Sequence, residues 1–188
     1  HRGLWHMYRF NRDDNARARG FFEMAVRLDP RFSRAHAGLS FTHWQSAFQH
    51  WEDREQAMRS AFDAASQSLT VDERDPSAHW AMGRALWLRG EVAPSILALE
   101  TAVDLSPNFA LGHYTLAFVH SQSGDPQAAA HWVELCTSQG MQRVWAGAPP
   151  AQPDADPAHL DRCALCLLQA ERFAPLLPGQ PALPVVAG

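Results

Sequence analysis

Histidines are the first residues in this sequence whose spacing suggests chemistry, because imidazole is a common metal ligand. His36, His43 and His50 are each seven residues apart, and His113 and His120 repeat that spacing. Seven residues along a helix span about 10.5 Å, whereas two imidazoles that share one metal need a spacing of three or four. We therefore expect no metal or other cofactor, and a metal-binding or pH-sensing histidine cluster is the alternative.

A second candidate lies near the C-terminus, where Cys163 and Cys166 form a CxxC pair with His159 at helical spacing. A zinc site needs a fourth ligand, and a thioredoxin-like motif needs a strand before its helix, which the proline-rich approach does not offer. We interpret both cysteines as apolar residues of a short helix. Three cysteines make no disulfide framework, so we expect a cytoplasmic protein, with a periplasmic position behind an upstream membrane segment as the alternative.

The basic residues exclude several other chemistries, because all sixteen are arginine. Lysine-dependent phosphate loops, kinases and Schiff-base enzymes are thereby removed. The sequence contains no HExxH, GxSxG or glycine-rich dinucleotide motif. Glu52, Asp53 and Glu55 fit the charged tip of a helical hairpin better than an acid/base pair. We predict that this chain is not an enzyme and that any catalytic domain lies outside it.

Charge is distributed unevenly around the net value of −4. Residues 1–34 hold eight arginines against four acids, whereas residues 35–140 hold five arginines against twelve acids. This balance argues against nucleic acid as a partner and makes the basic end a candidate docking edge for a preceding domain. No apolar run reaches the roughly 18 to 20 residues that span a bilayer. Because the sequence begins at His1, we expect a piece of a longer protein.

The elements that would position these residues are helices that recur along the chain. One pattern, with spacings of four, three and five, occurs at Ala18, Phe22, Ala25 and Pro30, at Ser95, Leu99, Ala102 and Pro107, and at Ala129, Val133, Cys136 and Met141. A second occurs at His36, Leu39, Ser40 and His43, at His79, Met82, Gly83 and Leu86, and at His113, Leu116, Ala117 and His120. Arg89-Gly90 and Gly124-Asp125-Pro126 predict helix ends, with each glycine in a left-handed cap and Asp125 capping the next helix.

These positions are the signature of the tetratricopeptide repeat (TPR), and residues 2 to about 143 resemble a TPR protein. The resemblance implies an all-α fold of antiparallel helix pairs stacked as a right-handed superhelix. Small residues such as Gly83 would let the two helices of a pair approach closely. Within this register the histidines occupy aromatic positions and are core or boundary residues. The TPR domain is predicted over 1–143, with repeats at about 2–32, 33–75, 76–109 and 110–143.

The second repeat is predicted to be longer than the others, and the first is divergent. Pro30 and Pro107 are 77 residues apart, about nine more than two regular repeats. We expect both helices of the second repeat to gain about a turn, because residues 44–60 contain neither Gly nor Pro. Trp44, Phe48 and Trp51 share a face of that segment. We interpret them as packing on the partner helix, and an exposed patch for a partner is the alternative.

The concave face of a TPR superhelix is lined by the first helix of each repeat, which offers a groove for an extended or helical peptide. The groove residues would be Phe41, Gln45, Trp80, Arg84, Trp87, Tyr114, Phe118 and Gln122. Arg84 would contact a carboxylate, and the alternative is that neighbouring repeats fill the groove. Chaperone-binding TPR proteins hold a terminal carboxylate with Lys and Asn, and the absence of lysine argues against that partner.

The segment after residue 143 breaks the pattern. Residues 144–188 contain eight of the thirteen prolines, which predicts a partly disordered tail with one helix at 157–173. A frame-shifted sequence would have a similar composition.

The function follows from a finer resemblance. Leu105 to Pro126 and Asp75 to His79 are similar to the TPR region that follows an effector domain in bacterial signalling proteins, either nucleotide cyclases or winged-helix transcriptional regulators. The resemblance implies a protein-interaction or scaffold module that binds a protein, a peptide or its own effector domain. The alternatives are a structural spacer that contacts only its own effector or a second copy in a homodimer, and a small-ligand sensor.

Overall fold

A computed structural model describes residues 1–135 of the chain, and all regular structure in that range is helical. The eight helices are α1 (Arg2–Met7), α2 (Arg12–Leu28), α3 (Ser33–Phe48), α4 (Arg54–Val71), α5 (Pro76–Leu88), α6 (Val92–Leu105), α7 (Ala110–Gln122) and α8 (Pro126–Leu135). Short turns join them into four successive pairs, which fall inside the limits predicted for the repeats. The predicted tail, with its helix, His159, Cys163 and Cys166, lies outside the described residues.

The predicted helix caps are present. Gly90 and Gly124 have φ values of 81° and 80°, a left-handed conformation that favours glycine. The carboxylate of Asp125 accepts a hydrogen bond from the Ala128 N–H, with Pro126 beginning α8. Asp75 caps α5 in the same way through the Ser77 N–H, again followed by proline. These caps turn the chain sharply, so consecutive helices run antiparallel.

The two helices of each pair pack closely, and the pairs also contact one another through their first helices α3, α5 and α7. At Gly83 of α5, an added Cβ would lie 2.5 Å from a Leu99 carbon of α6. Ser95 of α6 donates a hydrogen bond to the Gly83 carbonyl at 2.7 Å. The predicted role of this glycine in close helix approach is therefore confirmed.

The second pair has the extra length that the spacing predicts. Helices α3 and α4 contain 16 and 18 residues, against 13 and 14 in α5 and α6. The turn between them covers residues 49–53, where His50 has a φ of 54°. The turn contains Glu52 and Asp53 of the predicted charged tip, and Asp53 caps α4 by accepting a hydrogen bond from the Gln56 N–H.

The divergent first pair is attached to the second by buried polar contacts. Asn15 of α2 donates hydrogen bonds to the Thr42 carbonyl and the Ser46 hydroxyl of α3. Gln45 of α3 donates to the Met7 carbonyl at the end of α1 at 2.9 Å. These buried hydrogen bonds join α1 and α2 to α3 and fix the first pair on the second.

The buried carboxylate of Asp14 organises the turn between α1 and α2. Burial alone would raise the pKa of Asp14, but hydrogen bonds from Asn11, His6 and Arg9 outweigh it and lower the pKa to about 2. The carboxylate is therefore charged at neutral pH and holds the turn by charge-assisted hydrogen bonds.

The histidines at the first aromatic position share one contact that the sequence did not predict. His36, His79 and His113 each place Nε2 at 2.7–2.9 Å from the backbone carbonyl six residues earlier, at Pro30, Glu73 and Pro107. A carbonyl only accepts, so Nε2 carries the proton. Each histidine thus links the start of a repeat to the end of the preceding one.

None of the helices in residues 1–135 is long and apolar enough to cross a membrane.

Candidate binding site around Arg84

The first helices of the last three pairs bring six aromatic rings together. We call them the aromatic cluster: Phe41, Trp44, Phe48, Trp80, Trp87 and Phe118. Neighbouring ring centroids are 4.7 Å apart for Trp44 and Phe48, 4.9 Å for Phe41 and Trp80, and 4.9 Å for Trp87 and Phe118. Such spacings are typical of favourable aromatic pairs. The aromatic cluster therefore combines four rings of the predicted groove with Trp44 and Phe48 of the predicted second patch.

The structure adds contacts between repeats to the predicted packing of the second patch. The ring contacts of Phe48 lead to Trp87 at 6.0 Å and to Phe118 at 6.1 Å, on the first helices of the next two repeats. Trp44 is buried and approaches Trp87 at 6.3 Å. Trp51 lies beyond the end of α3 and is half-buried. The longer α3 thus reaches across to its neighbours as well as along its partner α4.

The predicted groove is largely filled by its own side chains. Phe41, Gln45, Trp80 and Arg84 are buried, because rings of successive repeats interleave and Gln45 is used to hold α1. Trp87, Tyr114 and Phe118 are half-buried, and Gln122 is exposed. The accessible part of the groove is therefore limited to these last four residues, and their binding to a partner stays a prediction.

Arg84 is a buried cation inside the aromatic cluster, with only 5% of its surface exposed. Its guanidinium carbon lies 3.6 Å from the centre of the Trp44 ring, 4.6 Å from Phe41 and 5.5 Å from Trp80. The electron-rich faces of these rings stabilise the charge by cation–π attraction. Arginine suits this position better than lysine, because its planar, weakly hydrated group stacks on rings.

The polar contacts of Arg84 leave its charge without an anionic partner among residues 1–135. Its one hydrogen bond runs from Nη1 to the Thr115 hydroxyl at 3.3 Å, and Nε has no partner in that range. The indole N–H of Trp44 is likewise buried and unpartnered there. Burial lowers the pKa of Arg84 to about 9, against a smaller opposing effect of Tyr114. The group still carries its proton at neutral pH.

Two clefts adjoin this site, and Trp87 lines both. The narrow cleft has an empty volume of about 140 Å³, and no part of it is wide enough to admit a water molecule. Its walls are Trp44, Arg84, Trp87, Thr115, Phe118 and Val119. The open cleft encloses about 1020 Å³, including space open to solvent, and is lined by Arg54, Trp87, Leu88, Gly90, Val92, Gln122 and Ser123. The partly exposed Trp87 ring thus separates the buried cation from an accessible surface.

Thr115 and Arg54 are site residues that sequence reasoning missed. Thr115 accepts hydrogen bonds from Trp80 Nε1 and Arg84, and its position depends on how α7 packs on α5. For Arg84 the register did carry a signal that went unused. The residues five places after His36, His79 and His113 are Phe41, Arg84 and Phe118, so an arginine stands where both neighbouring repeats have phenylalanine.

Comparison with known proteins identifies the fold. The thermophilic TPR protein TTC0263 of Thermus thermophilus superimposes with a TM-score of 0.62 at 17% identity, covering 85% of this chain and 71% of that one. The MamA RS-1 ArsTM double mutant gives 0.51 at 19% identity, covering 72% and 70%. A MamA crystal structure gives 0.50 at 17% identity, covering 87% and 92%.

Sequence comparison adds one match. A family model described as Protein of unknown function (DUF2946) matches residues 96–188, of which the structure describes 96–135. Curated protein sequences give no match. The structural likeness, at such low identity, concerns the fold alone. The helix pairs of residues 1–135 therefore have the helical-repeat fold of a TPR protein.

Proposed function

We propose that this chain is a protein-interaction module that binds a segment of a partner polypeptide in the open cleft. The observation that carries this proposal is the half-buried Trp87, which lines an accessible cleft next to the exposed cation Arg54. Tryptophan and arginine are among the side chains that most often dominate binding between proteins. The cleft lies at the C-terminal ends of the first helices α5 and α7, beside the turns that follow them and the starts of α4 and α6.

In the wider protein, the proposal places this module in the sensory or regulatory part of a bacterial signalling or transcription-regulatory protein. Support for this context comes from the resemblance of Leu105 to Pro126. The proposal assigns no catalytic step and no nucleic-acid contact to the chain, and an effector domain elsewhere would carry them. The partner is then either a separate protein or that effector domain.

A random-peptide library displayed on phage, panned against the full chain, tests the proposal. Peptides selected on the wild type should bind Trp87→Ala and Arg54→Gln about tenfold more weakly or worse, as expected for central contact residues. Arg59→Gln is the matched control, because Arg59 is an exposed arginine of the same helix that does not line the open cleft. Equal affinity for all four folded proteins would contradict the proposal.

A self-association module is the second candidate, and exposed apolar side chains on the second helices favour it. Leu28 of α2 is 82% exposed, and Leu97 of α6 is 67% exposed. Light scattering at two concentrations separates the two functions, because self-association raises the apparent mass with concentration. A small-ligand sensor is less well supported, since the stacked rings of Trp44 and Phe48 leave no room for a ligand in this conformation.

A further inference from the structure

Arg84 and Trp44 present two buried hydrogen-bond donors that residues 1–135 leave unused, the guanidinium Nε–H and the indole N–H. Both side chains line the narrow cleft. A buried donor without an acceptor is unfavourable, and a buried cation without an anion more so. A carboxylate would supply both the missing hydrogen-bond acceptor and the missing anion, because it is anionic and only accepts hydrogen bonds. We infer that Arg84 receives the side-chain carboxylate of a glutamate in the partner segment.

The route to Arg84 runs past Trp87. This ring meets Phe118 edge to face at 4.9 Å, and both residues are half-buried, so they can move more freely than the fully packed walls. The other walls of the narrow cleft, Trp44, Thr115 and Val119, are buried. Rotation of Trp87 towards solvent would join the narrow cleft to the open one and admit a side chain from a segment lying there.

The width of the narrow cleft favours glutamate over the free end of a chain. An unbranched stem of two methylene groups carries the glutamate carboxylate well away from its main chain. A C-terminal carboxylate instead brings its own Cα and side chain to the same depth. A cleft of about 140 Å³ has less room for these groups than for the unbranched glutamate stem. Arg54 is an exposed cation that lines the open cleft, so it favours acidic residues flanking that glutamate.

This inference rests on the proposed function and is tested with a peptide selected as above, synthesised with acetylated and amidated ends. Calorimetric titration compares that peptide with its Glu→Gln version, which removes the charge and keeps the shape. Wild-type protein should bind the glutamine peptide about tenfold more weakly, the effect expected for one charge-assisted hydrogen bond. Arg84→Met should bind both peptides equally weakly. Arg89→Met, which changes an arginine that pairs with Glu91, should discriminate like the wild type.

The outcomes distinguish the inference from the proposed function. If the Glu→Gln loss persists in Arg84→Met, or only a free C-terminal carboxylate restores binding, the inference is overturned. Peptides that depend on Trp87 but not on any glutamate overturn it and leave the proposed function standing, whereas failure to select any peptide contradicts both. Should Arg84→Met not fold, Phe118→Trp fills the narrow cleft with Arg84 in place, and the same loss of discrimination is expected.

Discussion

Replacement of Arg84 by methionine is expected to stabilise the fold, although it removes a cation that lies against three aromatic rings. Lowering the pKa of Arg84 to about 9 corresponds to about 5 kcal/mol against the charged form. Cation–π attraction to the close Trp44 ring offsets about 2 kcal/mol of this cost, and attraction to the more distant Phe41 and Trp80 rings offsets about 0.5 kcal/mol each. The charged Arg84 therefore lowers the free energy of unfolding by about 2 kcal/mol net.

Methionine removes the cost of the buried charge and leaves no newly unpaired polar group. It is unbranched and fills irregular apolar space of similar length. The Thr115 hydroxyl keeps its hydrogen bond from Trp80 Nε1 at 2.9 Å, so no buried acceptor loses its only donor. We therefore expect Arg84→Met to raise the free energy of unfolding by about 1 to 2 kcal/mol, as replacement of buried charges by apolar residues often does.

The assay is unfolding in guanidinium chloride followed by far-ultraviolet circular dichroism, with the slope of the transition checked for equality between variants. Arg89→Met is the control, because Arg89 is partly exposed, pairs with Glu91 at 2.7 Å and lies over the Phe62 ring. Its loss should cost at most about 1 kcal/mol. A decrease of about 2 kcal/mol or more in the free energy of unfolding of Arg84→Met would refute the reasoning, because the charged Arg84 would then stabilise the aromatic cluster.

Two further predictions concern acid stability and helix packing. Burial, reinforced by the charge of Arg19, lowers the pKa of His43 to about 4, so its contribution is fully present above pH 6.5 and is lost as the pH falls towards 4. His43→Phe should remove about 2 kcal/mol of that decline, and identical pH profiles in unfolding measurements would contradict this. Gly83→Ala should lower stability by about 2 kcal/mol, because its Cβ would collide with Leu99. Gly20→Ala, in an open helical position, should raise stability by about 0.5 to 1 kcal/mol, and equal melting temperatures of the two variants would exclude close packing at Gly83.

Much of the fold could be predicted because local chemistry determines it. Left-handed caps favour glycine, so Gly90 and Gly124 marked helix ends, and Asp125 before a proline marked a helix start. The extra length of the second pair followed from counting alone. Glu52 and Asp53 marked the tip between α3 and α4, but the left-handed residue of that turn gave no signal, because it is His50 and not a glycine.

The candidate site was predicted only in part, because its accessibility depends on contacts between repeats. The repeat register correctly grouped the groove residues on the first helices. It could not show that Phe41, Trp80 and Arg84 pack into one another, since the distance and angle between stacked pairs decide whether facing rings meet or leave a groove. The sequence also could not show that Trp44 and Phe48 join the groove rings, because this depends on contacts of the longer α3 with α5 and α7.

The repeats themselves provide an internal comparison that bears on why Arg84 is charged. Phe41 and Phe118 occupy the equivalent position in the neighbouring repeats, so packing there is satisfied by an uncharged ring. The fold therefore does not require a cation at residue 84, and physical chemistry assigns a cost to keeping one there without an anion. Residues that lower stability and line a cleft are expected at binding sites, where function is maintained at some cost in stability. The single substitution Arg84→Met is therefore expected both to raise stability and to remove glutamate recognition.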